Sequence, residues 1–312
     1  MSHLFSPMTI VRKKLPNRIV MGTIASGYAL PDGFVGDDLL NYYVRRARGG
    51  VGLIITEPLR VIPPDADSVR AHVGLYHDAF VPRLRALTQA VHEQGARLIV
   101  ALDEPAEVAM GSVQELQALN EQFIRAAWRA LAADCDGVML SSADGGALHQ
   151  LISPQRNQRF DMYGGALADR LRLPLQIVGG IHAWLGSRLI IGFRLVAEDF
   201  TPGGIGLHDA RLIARRLVMA GAMLLDITTD THNNSAPVAR FPGWRVPLAE
   251  SIKRVFPDSP VICSGLLGEP YLADSVIREG FADLVMLRHA LHTTPDWPRI
   301  AQEMLSSQEM GW

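Results

Sequence analysis

The sequence predicts an α/β chain closed into a single (β/α)8 TIM barrel, and three observations carry that prediction. Eight short runs rich in β-branched residues recur along the chain, each followed by a longer segment of helical periodicity, the alternation expected of a parallel sheet with crossover helices. The length of 312 residues accommodates a complete barrel, which takes about 250 residues before insertions. No Ser/Gly/Pro-rich linker or low-complexity tract divides the chain, so 1–312 is read as one domain.

In chain order, strands are predicted near Arg18–Met21, Gly52–Thr56, Arg97–Leu102, Gly137–Ser141, Leu189–Leu195, Met223–Thr228, Val261–Ser264 and Leu284–Leu287. Between the second and third, a helix over Asp78–Gln94 places Phe80, Val81, Leu84, Leu87 and Val91 on one face, and Gly95 ends it. Val113–Ala133 forms the next helix. In such a barrel the chemistry sits at the C-terminal ends of the strands and in the loops that follow them.

Composition narrows the function classes. Hydrophobic residues make up 48% and charged residues 20%, the balance of a packed globular enzyme. A net charge of −2 and the lack of any Lys/Arg block leave no footprint for nucleic acid. Cys135 and Cys263 are far apart and outside any CxxC spacing, so neither a disulfide framework nor a metal site is expected, and a reducing compartment suits the chain. No apolar run approaches the roughly 18 residues that span a bilayer. Met1 to Ile10 lacks a charged segment leading into an apolar one. The expectation is a cytoplasmic, unprocessed protein with a small-molecule substrate and no membrane partner.

Several stretches match a known pattern, in the right order. Leu4-Phe5-Ser6-Pro7 leads to Pro16-Asn17-Arg18-Ile19-Val20-Met21, and Tyr42-Tyr43 with Arg46-Ala47 leads to Gly49-Gly50-Val51-Gly52 and on to Thr56-Glu57. Leu87-Thr88, Val91-His92, Gly95 and Asp136-Gly137-Val138 follow. The most specific segment is His149-Gln150-Leu151-Ile152-Ser153-Pro154, continuing through Asn157, Arg159, Asp161, Tyr163-Gly164-Gly165 and Arg170. Gly192-Phe193-Arg194-Leu195, Pro260-Val261-Ile262, Ala282-Asp283-Leu284-Val285 and Pro295-Asp296-Trp297-Pro298 complete it. Over essentially its whole length the chain resembles the old yellow enzyme family of flavin oxidoreductases. The resemblance implies a barrel, FMN and, often, a homodimer. The segment around Tyr163-Gly164-Gly165 is read as a turn and ion-pair scaffold rather than a catalytic element.

The positions where that family does its chemistry depart from its pattern. Its substrate-holding His or Asn pair and its proton-donating Tyr align with Ser141, Asp144 and Gly146, and its flavin-binding Gln with Ala101. The turn after the first strand reads Gly22-Thr23-Ile24-Ala25. The family's phosphate-binding Gly-Gly and Gly-Arg pairs appear as Gly265-Leu266 and Arg288-His289. A Leu and an Arg side chain are expected to crowd the phosphate, and ene reduction by the family's route is disfavoured. The loop after the third strand is short, Asp103 to Gly111.

The strand ends instead offer a charged set. The leading expectation is a flavin-independent acid/base enzyme, an isomerase or lyase acting on a small carbonyl or anionic metabolite, with no cofactor and no metal. Asp144 would be the base, Arg194 would hold an anion, and His289 would shuttle the proton. Ser141, Glu104, Arg288 and Asp230 would bind substrate. Bland rivals are a turn-capping Asp144 and an Arg288 paired with Asp103 or Glu104 that plugs the cofactor site. Thr231-His232-Asn233-Asn234 is read as loop. Two alternatives stand beside this expectation: an FMN-dependent NAD(P)H oxidoreductase with an altered substrate site, and a non-catalytic scaffold. If FMN is retained, Gly22, Thr23, Arg194, Gly265, Leu266, Arg288 and His289 would hold it.

Overall fold

A computed structural model describes residues 3–64, 71–230 and 241–309; the Thr231-His232-Asn233-Asn234 run lies outside them. A short antiparallel hairpin, β1 (Met8–Ile10) and β2 (Lys13–Leu15), precedes eight parallel strands. These are β3 (Ile19–Met21), β4 (Leu53–Leu59), β5 (Arg97–Leu102), β6 (Gly137–Ser141), β7 (Ile190–Val196), β8 (Leu224–Thr228), β9 (Val261–Cys263) and β10 (Leu284–Leu287). They close in sequence order, β10 pairing with β3. The predicted barrel is therefore present, with each predicted strand in its place.

The strands form because each is a short, nearly continuous apolar run buried on both faces, as a parallel sheet covered by helices requires. Outward residues such as Ile54, Leu98 and Val138 pack under the helices Asp37–Arg48, Val81–His92 and Val113–Ala132. The last begins at Ser112, whose hydroxyl accepts from the Glu115 N–H while the Glu115 carboxylate accepts from the Ser112 N–H, a reciprocal cap. Inward residues Val20, Ile55, Ile99, Ala101, Met139, Ile190, Leu224, Ile262 and Met286 fill the barrel. Ile10 and Leu15 of the hairpin join this inner cluster. Lys13 lies 3.4 Å from Asp136 at the start of β6, which places the hairpin as a plug at the N-terminal end.

Side chains alternate along a strand, so the next inward positions beyond this apolar filling are Gly22, Asp103, Ser141, Arg194, Asp226, Ser264 and Arg288. The barrel interior thus turns from hydrocarbon to charge at its C-terminal mouth.

The turn segment around Tyr163-Gly164-Gly165 is structural. Asn157 Nδ2 donates to the Leu151 and Tyr163 carbonyls at 2.6 and 2.7 Å. Arg159 Nη1 donates to the Ala109 and Gly111 carbonyls at 2.8 and 2.7 Å, tying the short 106–110 turn to the wall of the barrel.

Candidate functional site

Three guanidinium groups converge at the mouth. Arg194, on β7, is only 2% exposed and donates from Nη1 to Thr23 Oγ1 at 3.1 Å and from Nη2 to Thr228 Oγ1 at 3.3 Å. It lies 3.4 Å from Asp226 and 3.6 Å from Asp144, while its buried Nε has no partner among the described residues. Arg245 donates to Thr229 Oγ1 and Ser264 Oγ at 3.0 and 3.3 Å and stacks over Trp244. Arg288 Nε donates to the Thr23 carbonyl at 2.9 Å, and its stem covers Gly22, where a Cβ would stand 2.8 Å from Arg288 Cγ.

Burial and then repulsion from neighbouring cations lower the basicity of two of them: Arg245 falls to about 10, with Arg194 and Arg288 contributing, and Arg288 is lowered by burial and by Arg194. Burial likewise raises the Asp226 carboxyl against the pull of all three cations. Such clustering is costly unless a negative group is shared among the cations.

Beside the cluster, the loops after β9 and β10 enclose a cavity of about 410 Å³ lined by Arg245, Ser264, Gly265, Leu266, Arg288 and His289. The expected phosphate positions thus come together around one open space. Leu266 does not fill it: the side chain is 52% exposed and sits at the rim, on a backbone with φ 59°. A larger groove of about 800 Å³, lined by Trp128 and Trp184 together with Asp78, Glu121, Arg125 and Arg129, lies on the outer helices.

The other candidate residues are placed as follows. Asp144, read as the base, is ion-paired to Arg194 on a left-handed turn, φ 57°, so its charge is already engaged. Ser141 Oγ accepts from the Ala143 N–H at 3.2 Å. Glu104 points away from the mouth, holding the Val61 and Ile62 N–H groups with Arg60 at 3.8 Å. Arg288 pairs with neither Asp103 nor Glu104; it lies against Thr23. Asp230 receives Arg156 at 2.7 Å and adjoins His149 and Asp199 in a buried group whose ligand atoms lie within 4.8 Å of one another. His149 Nδ1 accepts from the Gly145 N–H at 3.3 Å, while its buried Nε2 stands 3.9 Å from Asp199 and 4.0 Å from Asp230 without a hydrogen-bond partner among the described residues. Arg245 escaped the sequence reading. Its neighbour Trp244 was the available signal, since an aromatic face beside a loop arginine is a common way to orient a buried guanidinium.

A β/α barrel with a cationic cavity after its last two strands defines a class, barrels that seat an anionic, phosphate-bearing ligand at the strand ends. The chain belongs to the NADH:flavin oxidoreductase / NADH oxidase family, whose model matches residues 3–110 and 104–308. It is 35% identical over 331 residues to an NADH oxidase of Thermoanaerobacter brockii, covering 96% of this chain and 51% of that one. It is 30% identical over 342 residues to an NADPH dehydrogenase of Listeria monocytogenes, covering 100% and 97%. The barrel superposes on 2-naphthoyl-CoA reductase with a TM-score of 0.89 at 20% identity, over 96% of this chain and 52% of that one, a likeness of fold. The chain spans about half the length of the NADH oxidase.

These relationships overturn the expectation of a flavin-independent isomerase or lyase. The family is one of flavin oxidoreductases, and the relatives carry redox names. The expected lack of a cofactor and the expected degradation of the FMN site are likewise unsupported. The physical error was to count Leu266 and Arg288 as filling a space that they line. Among the described residues, no helix is long and apolar enough to cross a membrane.

Proposed function

We propose that this barrel is an FMN-dependent oxidoreductase that draws electrons from a reduced nicotinamide. The observation that carries the reading is the cavity after β9 and β10, where Arg245, Arg288 and His289 surround Gly265. The residues present fit the group: three crowded arginines and the unpartnered Arg194 Nε form a donor set in search of an anion and a polar ring edge. Phosphate would lie against Arg245, Arg288, His289 and the backbone of Gly265 and Leu266, with Thr23 and Arg194 toward the ring. Bound there, FMN supplies hydride chemistry between the nicotinamide and an acceptor.

The chain's own residues set the environment for that chemistry. Arg194 is fixed by Thr23, Thr228 and Asp226, so a cation stands ready at the mouth without reorganising. Asp226 moderates the triple positive charge. The Arg288 stem lies over Gly22 at the edge of the same mouth.

The test is direct. Protein reconstituted with FMN should be yellow, bind one equivalent, release it on denaturation and bleach anaerobically with NADH or NADPH. Riboflavin, lacking the phosphate, should bind at least tenfold more weakly. A colourless protein that takes up neither flavin would sink the reading.

A further inference from the structure

Gly204 is a glycine for reasons of space: a Cβ there would stand 2.7 Å from Asp199 Oδ2 and 2.8 Å from Asp199 Cβ. The bare backbone lets the loop after β7 wrap the Asp199 carboxylate, whose Oδ2 accepts from the Ile205 N–H at 2.8 Å. The loop after β8 is tied to it, the Asp230 N–H donating to the Glu198 carbonyl at 3.2 Å. His149 comes in from the short helix Ala147–Ile152 after β6, so three successive strand ends each send one side chain with metal-binding atoms to the same place. His149, Asp199 and Asp230 are 0%, 4% and 2% exposed. Drawn from three separate loops, they leave no spacing motif in the sequence.

The group is incomplete as it stands. His149 Nε2 and Asp199 Oδ1 face each other at 3.9 Å, too far for a hydrogen bond, and neither has a partner among the described residues. Asp230 Oδ2 lies 4.0 Å from the same nitrogen and receives Arg156 Nη2 at 2.7 Å. Arg156 thus supplies one positive charge against two buried carboxylates. Buried polar atoms left unmet in this way are costly unless something binds between them.

We propose that His149 Nε2, Asp199 Oδ1 and Asp230 Oδ2 form a binding site for a divalent first-row metal ion, with manganese(II) the best match. The three atoms lie within 4.8 Å of one another. A point equidistant from them is about 2.2–2.5 Å from each, between the bond lengths of zinc and of calcium. One imidazole with two carboxylates is a donor set for manganese(II) or iron(II) rather than for calcium or magnesium, which take oxygen ligands. The two charges of the ion balance the two carboxylates, and Arg156, its side chain 28% exposed, swings out to water. Coordination through Nε2 puts the ring proton on Nδ1, at the expense of the Gly145 N–H contact, which is already long at 3.3 Å. The ion pins the loops after β6, β7 and β8 to one another, next to the turn that carries Asp144. Its binding needs neither flavin nor substrate.

Untagged full-chain protein, stripped with EDTA and titrated with MnCl2, should take up one Mn²⁺ per chain, read as loss of the free-ion electron paramagnetic resonance signal. Pulsed measurements on the bound ion should show nitrogen coupling from one imidazole. Saturating Mn²⁺ should raise Tm, and ZnCl2 should compete for the same single site. His149→Gln should abolish the nitrogen coupling, and Asp199→Asn should weaken uptake by about tenfold or more. Arg156→Gln, at a partly exposed side chain outside the ligand set, should tighten uptake by about tenfold because the competing guanidinium is gone. Less than one equivalent bound by the wild type, or nitrogen coupling retained in His149→Gln, overturns the proposal. Should His149→Gln fail to fold by circular dichroism, Arg156→Gln decides the matter, and uptake there that is unchanged or weaker overturns it.

Discussion

Arg194 and Asp226 face each other across β7 and β8 as register partners, 3.4 Å apart and each almost wholly buried. Neither Asp226 oxygen has a hydrogen-bond partner among the described residues, so the pair is held by charge rather than by a bidentate fork. Breaking a buried pair strands the surviving ion, at a cost of about 3–5 kcal/mol. Asp226→Asn should therefore lower the unfolding free energy by about 3 kcal/mol. Asp144→Asn, at the more exposed partner of the same arginine, should cost less than about 1 kcal/mol, since Asn tolerates the left-handed turn as Asp does. Urea unfolding of both variants checks this, and equal losses would refute the ranking.

Most of the fold was legible because parallel strands buried on both faces are plain apolar runs. The predicted and observed bounds of β5, β6 and β10 coincide. The β1–β2 hairpin was missed because its strands are three residues long and its turn holds Val11 at φ 57°, a β-branched residue in a conformation that turn rules reserve for Gly, Asn or Asp. At the mouth, the family resemblance pointed to Arg194, Gly265, Arg288 and His289, and the last three do line one cavity. Glu104 was misplaced by one step of alternation, since the residue after an inward Asp103 faces outward. The bridge between Pro105 and Gly146 joins two loops and leaves no local trace in the sequence.

Glu104 predicts a pH dependence. Burial, the largest influence, pushes its carboxyl up to about 7 from an ordinary 4.5, against the Val61 and Ile62 N–H bonds and Arg60. A carboxyl whose pKa is raised on folding stabilises the fold at low pH, and that stability is lost as pH climbs from about 4.5 through about 7. The shift corresponds to about 3 kcal/mol. Glu104→Gln retains an oxygen for both N–H groups and cannot ionise. The difference in denaturation midpoint between the variant and the wild type should thus grow in the variant's favour between pH 5 and 7.5. A constant difference across that window would show that Glu104 is not the group responsible.

Leu266 sits at φ 59°, a left-handed conformation that costs a non-glycine residue about 1–2 kcal/mol. Half exposed, it contributes little burial in return. Leu266→Gly should relieve the strain, partly offset by glycine's freedom in the unfolded chain, and raise Tm by about 2 °C. Leu266→Ala keeps the strain and should not raise it. Calorimetry on the pair separates backbone relief from loss of the side chain, and a gain in the alanine variant would contradict the account.

Arg245 allows the phosphate reading to be tested apart from the ring. Its guanidinium is anchored by Thr229, Ser264 and Trp244 on one side and opens onto the cavity on the other. Even lowered to about 10, it is cationic at neutral pH. A hydrogen bond to a charged group is worth about 1.5–3 kcal/mol, so Arg245→Ala should weaken FMN by about 10- to 100-fold and leave riboflavin nearly unchanged. Arg245→Lys, a point charge without the fork, should recover part of the loss. Paired titrations by flavin fluorescence decide the matter. If FMN and riboflavin weaken together, Arg245 shapes the ring site rather than the phosphate site, and the cavity after β9 and β10 must then be assigned to a ligand other than FMN phosphate.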